Sequence, residues 1–208
     1  MIIDSLKAEN SALKGELRAG LSDGSTLLFS VFYLPDGKEN PAISETGREL
    51  SSAEEEALRF ASVCCRAERI ALRLISRAEQ CSLGLTVKLQ RRGLDSAAVN
   101  AVISRLFEEK LLDDLRYAEL WLRSKLRSRK APGPRRLSAS LAKKGIARDS
   151  LGKALGNALD PETEYELLLR FLENGKLPGE KKGISRRAYL KFEGFSSAVI
   201  ERYFDENS

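Results

Sequence analysis

The 208-residue chain contains no histidine, which removes the commonest general base, serine triads of the usual kind and zinc sites of the Cys/His type. Cysteine is scarce: Cys64, Cys65 and Cys81 are an odd number, two of them are adjacent, and three thiolates cannot complete a four-thiolate metal site. Buried or half-buried thiols in a reducing compartment are the expectation. No run is long or apolar enough to span a bilayer, and the opening MIIDSLKAEN lacks the basic-then-apolar order of a signal peptide, so a cytoplasmic address with no membrane partner is expected. Aromatic residues are sparse, and Trp121, Tyr117, Tyr165, Phe171 and Phe195 sit at spacings that suit a core better than a base-stacking platform. No glycine-rich phosphate loop, paired-acid constellation or activated nucleophile stands out. The carboxylates of Asp113 and Asp114 suit a helix cap and the positive end of the helix dipole. Neither an enzyme nor a cofactor or metal requirement is expected.

What the chain has instead is a phrase that recurs three times. Leucine stands four residues before a glycine that an apolar residue follows: Leu89-Gly93-Leu94, Leu141-Gly145-Ile146 and Leu190-Gly194-Phe195. The sixth position after each glycine is Val99, Leu151 or Ile200, spaced to pack a following helix against the first. Such a repeat predicts tandem helical modules. The expected fold is all-α, with three tandem three-helix modules, either compact or strung in an arc, behind a small N-terminal β-hairpin appendage.

Residues 1–50 form the appendage. Apolar stretches Glu16 to Leu21 and Thr26 to Leu34 flank Ser22-Asp23-Gly24-Ser25, a hairpin signal, and a loop follows to about Leu50. The modules are expected at 51–111, 112–159 and 160–208. Ser51 and Ser52 with Glu54 and Glu55 offer two registers of capping box for the first long helix, and Asp95 or Ser96 can cap the third. Val99, Val102, Ile103, Leu106 and Phe107 mark one apolar face. Pro134 opens the short helix of module two, and Asp160-Pro161 opens module three. There Asn174-Gly175 closes the first helix, a loop with Lys181 and Lys182 runs from Lys176 to Gly183, and Ile184 to Glu193 is the short helix.

Charge is segregated along this frame. The net charge is only +5, yet Leu120 to Arg148 holds no Asp or Glu. Arg123, Arg127 and Lys130 precede the short helix of module two, which carries Arg135, Arg136, Lys143 and Lys144. In module one, Lys88, Arg91 and Arg92 share a face. A field of this kind attracts a polyanion or an acidic protein groove, and these ten residues are the candidate binding surface.

The blocks Leu112-Asp113-Asp114-Leu115-Arg116-Tyr117-Ala118, Gly133-Pro134-Arg135-Arg136-Leu137 and Leu141-Ala142-Lys143-Lys144-Gly145-Ile146 resemble the central signature of the RecX proteins, bacterial modulators of the RecA recombinase. The resemblance runs from about Ala71 to Phe204. It implies an all-α protein of three tandem three-helix modules in an elongated, curved array that regulates without catalysis, and a monomer is expected. Such a protein lodges in the groove of the RecA filament on single-stranded DNA and limits its recombinase, ATPase and co-protease activities, in DNA repair, recombination and the SOS response. Module one departs from the family pattern, with Ala78, Glu79, Gln80, Cys81 and Gly84 where an Arg-acid-His-Ser approach and a later Glu are common. Two other readings draw on the same features: a helical-repeat protein that binds bare nucleic acid without RecA, and a helix-turn-helix transcription factor. The latter lacks an obvious recognition-helix set of Asn, Gln and Arg.

Overall fold

The computed structural model describes residues 1–9, 15–44, 46–128, 130–174 and 185–207. Gly175, the loop with Lys181 and Lys182, and Ile184 lie outside the described residues. The chain is mostly helical with a small N-terminal sheet. Strands β2 (Glu16–Leu21) and β3 (Thr26–Ser30) pair antiparallel with Leu17 opposite Phe29. Their turn places Gly24 at φ +79°, and Asp23 Oδ1 accepts from the Ser25 N–H at 2.8 Å. The expected hairpin proves to be part of a three-stranded sheet, because β1 (Ile3–Ala8) pairs antiparallel with β2. In β1 only Ile3 is buried, so no inside-outside alternation marks it. The run expected to extend to Leu34 leaves the sheet at Ser30 and enters a 3₁₀ turn, Val31–Tyr33. The expected loop before Leu50 contains a second 3₁₀ turn, Gly37–Glu39, and the short helix α1 (Pro41–Ser44).

Of the two capping registers, the chain uses Ser51. Its hydroxyl accepts from the Glu54 N–H at 3.3 Å while the Glu54 carboxylate accepts from the Ser51 N–H at 2.8 Å. From this cap α2 (Ser52–Ile75) runs for 24 residues. Its length serves two cores. Leu58 and Ala61 meet Ile3, Ala19, Phe29 and Leu50 from the appendage, whereas Cys64, Ala67 and Ala71 meet residues of α3 (Ser82–Gln90) and α4 (Ser96–Glu108). Asp95, not Ser96, caps α4, accepting from the Ala97 and Ala98 N–H groups. Val99, Val102 and Leu106 face the core as expected, but Phe107 turns out to be 40% exposed. One residue beyond Leu106, it lies about 100° round the helix from that side chain.

By its internal contacts the chain divides into two compact units, Met1–Gln80 with Gly84–Leu112, and Cys81–Leu83 with Asp113–Ser208. The second contains α5 (Asp114–Leu126), α6 (Pro134–Ala142), α7 (Arg148–Ala158), α8 (Pro161–Asn174), α9 (Arg186–Phe192) and α10 (Ser197–Glu206). Ala118, Leu122, Leu137, Leu141, Ile146 and Ala154 build one core there; Tyr165, Leu168, Leu190, Phe195 and Ile200 build another.

Each repeated glycine sits in the left-handed region, at φ +74°, +82° and +96° for Gly93, Gly145 and Gly194. The apolar residue after the last two returns its N–H to the leucine carbonyl, Ile146 to Leu141 at 3.3 Å and Phe195 to Leu190 at 3.2 Å. The recurring phrase is therefore a helix-ending motif in which the glycine supplies the turn and the residue after it closes the apolar contact. Gly133, which opens the signature block before Pro134, makes a closer approach. A Cβ there would lie 2.3 Å from the Gly194 carbonyl carbon, and its N–H donates to the Glu193 carbonyl at 2.9 Å.

Candidate binding surface

The short helix α6 presents cations because its leucines turn the other way. Leu137 and Leu141 are buried, Pro134 occupies the first turn, and Arg135 and Lys143 are left exposed while Lys144 is half-buried. Arg136 is partly spoken for. Its guanidinium is hydrogen-bonded to the Glu193 carboxylate and lies 5.6 Å from the centre of the Phe192 ring, a side chain 73% exposed. Arg136 thus joins α6 to α9 as well as adding charge.

The other cations of this unit stand elsewhere. Arg123 and Arg127, one turn apart on α5, line a groove of about 410 Å³ with Glu119, Leu126, Ala154 and Asn157, between α5 and α7. No residue of α6 lines that groove. The Asn157 amide donates to Glu119 Oε1 across it at 2.8 Å. Lys130 is exposed in the turn before α6; Arg129 lies outside the described residues.

The two adjacent aspartates divide their work. Asp113 caps α5 by accepting from the Leu115 and Arg116 N–H groups at 2.9 and 3.0 Å. Asp114 instead accepts from the Ser82 N–H at 2.7 Å and the Ser82 hydroxyl at 2.6 Å, supplying the cap that the start of α3 lacks locally. The aromatics singled out from sequence belong to cores: Tyr165 and Phe195 are buried, and Tyr117, Trp121 and Phe171 pack partly buried against the same clusters.

In the first unit the three candidate cations are exposed but only in part available. Lys88 Nζ donates to Gln80 Oε1 at 2.6 Å, and Arg92 Nη1 donates to the Lys88 carbonyl at 2.6 Å. Sequence reasoning missed the arginines beside them. Arg59, Arg66 and Arg73 recur every seven residues along α2, with Arg69 near their line and Arg77 just past the helix end. That spacing is present in the sequence, where a period of seven returns to one face of a helix, and all three side chains are exposed.

Among the described residues no three His, Cys, Asp or Glu side chains gather to hold a metal ion, and no helix is long and apolar enough to cross a membrane. All three cysteines are buried, and burial pushes the Cys64 and Cys65 thiols up to about 12. A thiol so raised stays protonated and is a poor nucleophile. What these surfaces offer is exposed positive charge on rigid helices, suited to docking on something anionic.

Residues 113–155, from the α5 cap almost through α7, match the second three-helix domain of RecX. The regulatory protein RecX of Treponema pallidum (strain Nichols) is 33% identical over 146 residues, covering 70% of this chain and 88% of the relative. That of Syntrophotalea carbinolica is 34% identical over 143 residues, covering 65% and 92%. A crystal structure of a regulatory protein RecX superimposes with a TM-score of 0.72 at 23% identity over 98% of both chains. RecX from Lactobacillus salivarius does so at 0.59 and 23% identity, over 70% of this chain and 97% of that one. The structures carry the fold, the close relatives carry the kinship, and the matched domain is the one that holds the basic helix α6: this chain belongs to the RecX family of regulatory proteins.

Proposed function

We propose that this chain is a non-catalytic regulator of the RecA recombinase that docks, as a monomer in the cytoplasm, on the RecA filament formed on single-stranded DNA. There it dampens ATP hydrolysis, recombination and co-protease activity in DNA repair. The observation that carries this reading is the coincidence of the family's second three-helix domain with a stretch, Leu120 to Arg148, that has no acidic side chain. Arg135 and Lys143 stand exposed on α6, and Arg123 and Arg127 stand on the α5 groove beside them in sequence. Such charge speeds encounter with a polyanionic filament and fixes orientation on it. Contacts to phosphate make binding steeply salt-dependent; contacts to RecA carboxylates do so less.

The experiment is RecA-dependent ATP hydrolysis on single-stranded DNA, followed as this protein is added. Turnover is expected to fall with substoichiometric or stoichiometric additions. Unchanged turnover, together with tight binding to bare DNA, would favour the reading of a nucleic-acid-binding helical repeat that acts without RecA.

A further inference from the structure

We infer that the first unit carries its own phosphate-binding pocket, formed by Arg73, Arg77 and Arg92, which holds the backbone of a nucleic-acid strand independently of α6 and of RecA. Those three arginines line a cavity of about 270 Å³ whose remaining walls are Ile70 and Leu74, with no carboxylate among them. They come from separate places in the chain: Arg73 from the last turn of α2, Arg77 from just past its end, Arg92 from the turn after α3. Three like charges gathered on one concavity repel one another, and an anion placed among them removes that cost.

Two of the guanidiniums are already oriented. Arg73 Nε donates to the Arg69 carbonyl at 3.3 Å, and Arg92 Nη1 to the Lys88 carbonyl at 2.6 Å. Each uses one of five donors and keeps the others for a ligand. Among the described residues none of the three has an acidic partner. The contrast with their neighbours is direct, since Arg69 is bound to Glu16 and Arg59 to Glu55.

A polymer rather than a free nucleotide fits because the pocket is not isolated. Two turns back along α2, about 10 Å by helix rise, Arg66 and Arg69 line a second hollow of about 300 Å³ floored by Leu28 and Val63. Among the described residues Arg66, like the three, has no carboxylate partner. Two arginine-lined hollows with apolar floors along one helix face suit successive backbone contacts along a strand, with sugar or base against the floor.

The test is fluorescence anisotropy of a labelled oligothymidylate with the full chain and no RecA, from low to moderate salt. R73A/R77A/R92A is expected to weaken binding at least tenfold and to shrink the logarithmic salt slope by at least about 0.7, the value of one phosphate on a single strand. Circular dichroism checks the fold, and R77E alone, at an exposed residue with no acidic partner among the described residues, should weaken binding in the same direction. Unlabelled oligothymidylate should displace the probe, whereas thymidine monophosphate at equal phosphate concentration should not. An unchanged affinity and slope in the folded triple variant would overturn the inference, as would equal displacement by the mononucleotide. Because RecA is absent, either result is separate from the fate of the proposed RecA regulation.

Discussion

The first unit keeps charge inside. Glu16 is 2% exposed, bound by the Arg69 guanidinium at 2.7 and 2.5 Å and by the Cys65 thiol at 3.2 Å. Glu68, also buried, meets Arg105 at 3.2 Å. In the second unit no charged side chain among the described residues is buried, and the Gly133 backbone lies so near Gly194 and Phe195 that an added Cβ would stand 2.3 Å from the Gly194 carbonyl carbon. The difference teaches where each unit is vulnerable. Removing a counter-charge should damage the first, while a single added methyl should damage the second.

The largest expected effect is Arg69→Ala. It takes the guanidinium away from the buried Glu16 carboxylate and should cost about 3–4 kcal/mol in urea unfolding, the lower part of the range for a buried pair because the Arg69 side chain is 38% exposed. The double change to Met at Glu16 and Arg69 should recover most of that loss, because it removes both charges together. If Arg69→Ala unfolds within about 1 kcal/mol of wild type, the buried pair does not hold the sheet to α2.

Next comes Gly133→Ala, expected to cost about 3 kcal/mol because its Cβ would meet backbone atoms at 2.3 to 2.5 Å that cannot swing aside. The helix-ending glycines should follow in order of crowding. At Gly145 a Cβ would meet the Leu83 side chain at 2.6 Å in addition to the positive φ, so Gly145→Ala should cost about 2 kcal/mol. At Gly93 nothing lies within 4 Å, so Gly93→Ala should show the backbone term alone, about 1 kcal/mol. Equal melting temperatures for the Gly93 and Gly145 variants would remove the packing half of this comparison.

The smallest effect is a pH dependence at the α2 cap. The Arg48 guanidinium, followed by the N–H and hydroxyl of Ser51, holds the Glu54 carboxyl down at about 2 against an ordinary 4.5. A lowered folded-state value contributes stability above pH 4.5 that is lost as pH falls towards 2. Glu54→Gln should therefore melt below wild type at pH 7 and match it near pH 2. A gap that persists at low pH would assign the effect to shape and not to charge.

Local chemistry was the legible part. The three Leu-Gly-apolar phrases could be read because a helix end is decided within six residues, by a positive φ in all three and a returning N–H in the last two. The hairpin turn at Asp23-Gly24 and the Ser51 cap are local in the same sense. What escaped depends on partners far along the chain: Asp114 with Ser82, 32 residues away, and Arg136 with Glu193, 57 residues away. The strand β1 escaped because one buried residue in six leaves no alternation. Of the candidate surface, the cations themselves were legible, but not their division between α6 and the α5 groove, nor that Arg136 has a carboxylate partner.

That last point sharpens the decisive variant, which should spare Arg136. Contact through the basic end of α6 is tested by R135A/K143A/K144A in RecA-dependent ATP hydrolysis on single-stranded DNA, with the wild-type chain alongside. Arg135 and Lys143 are exposed and Lys144, in the turn after α6, is half-buried, and changes at such surface positions usually stay within about 0.5 kcal/mol each, so the variant should fold. It is predicted to leave RecA turnover unaffected at concentrations where wild type suppresses it. A folded variant that suppresses turnover as fully as wild type would contradict the assignment of α6 as the contact.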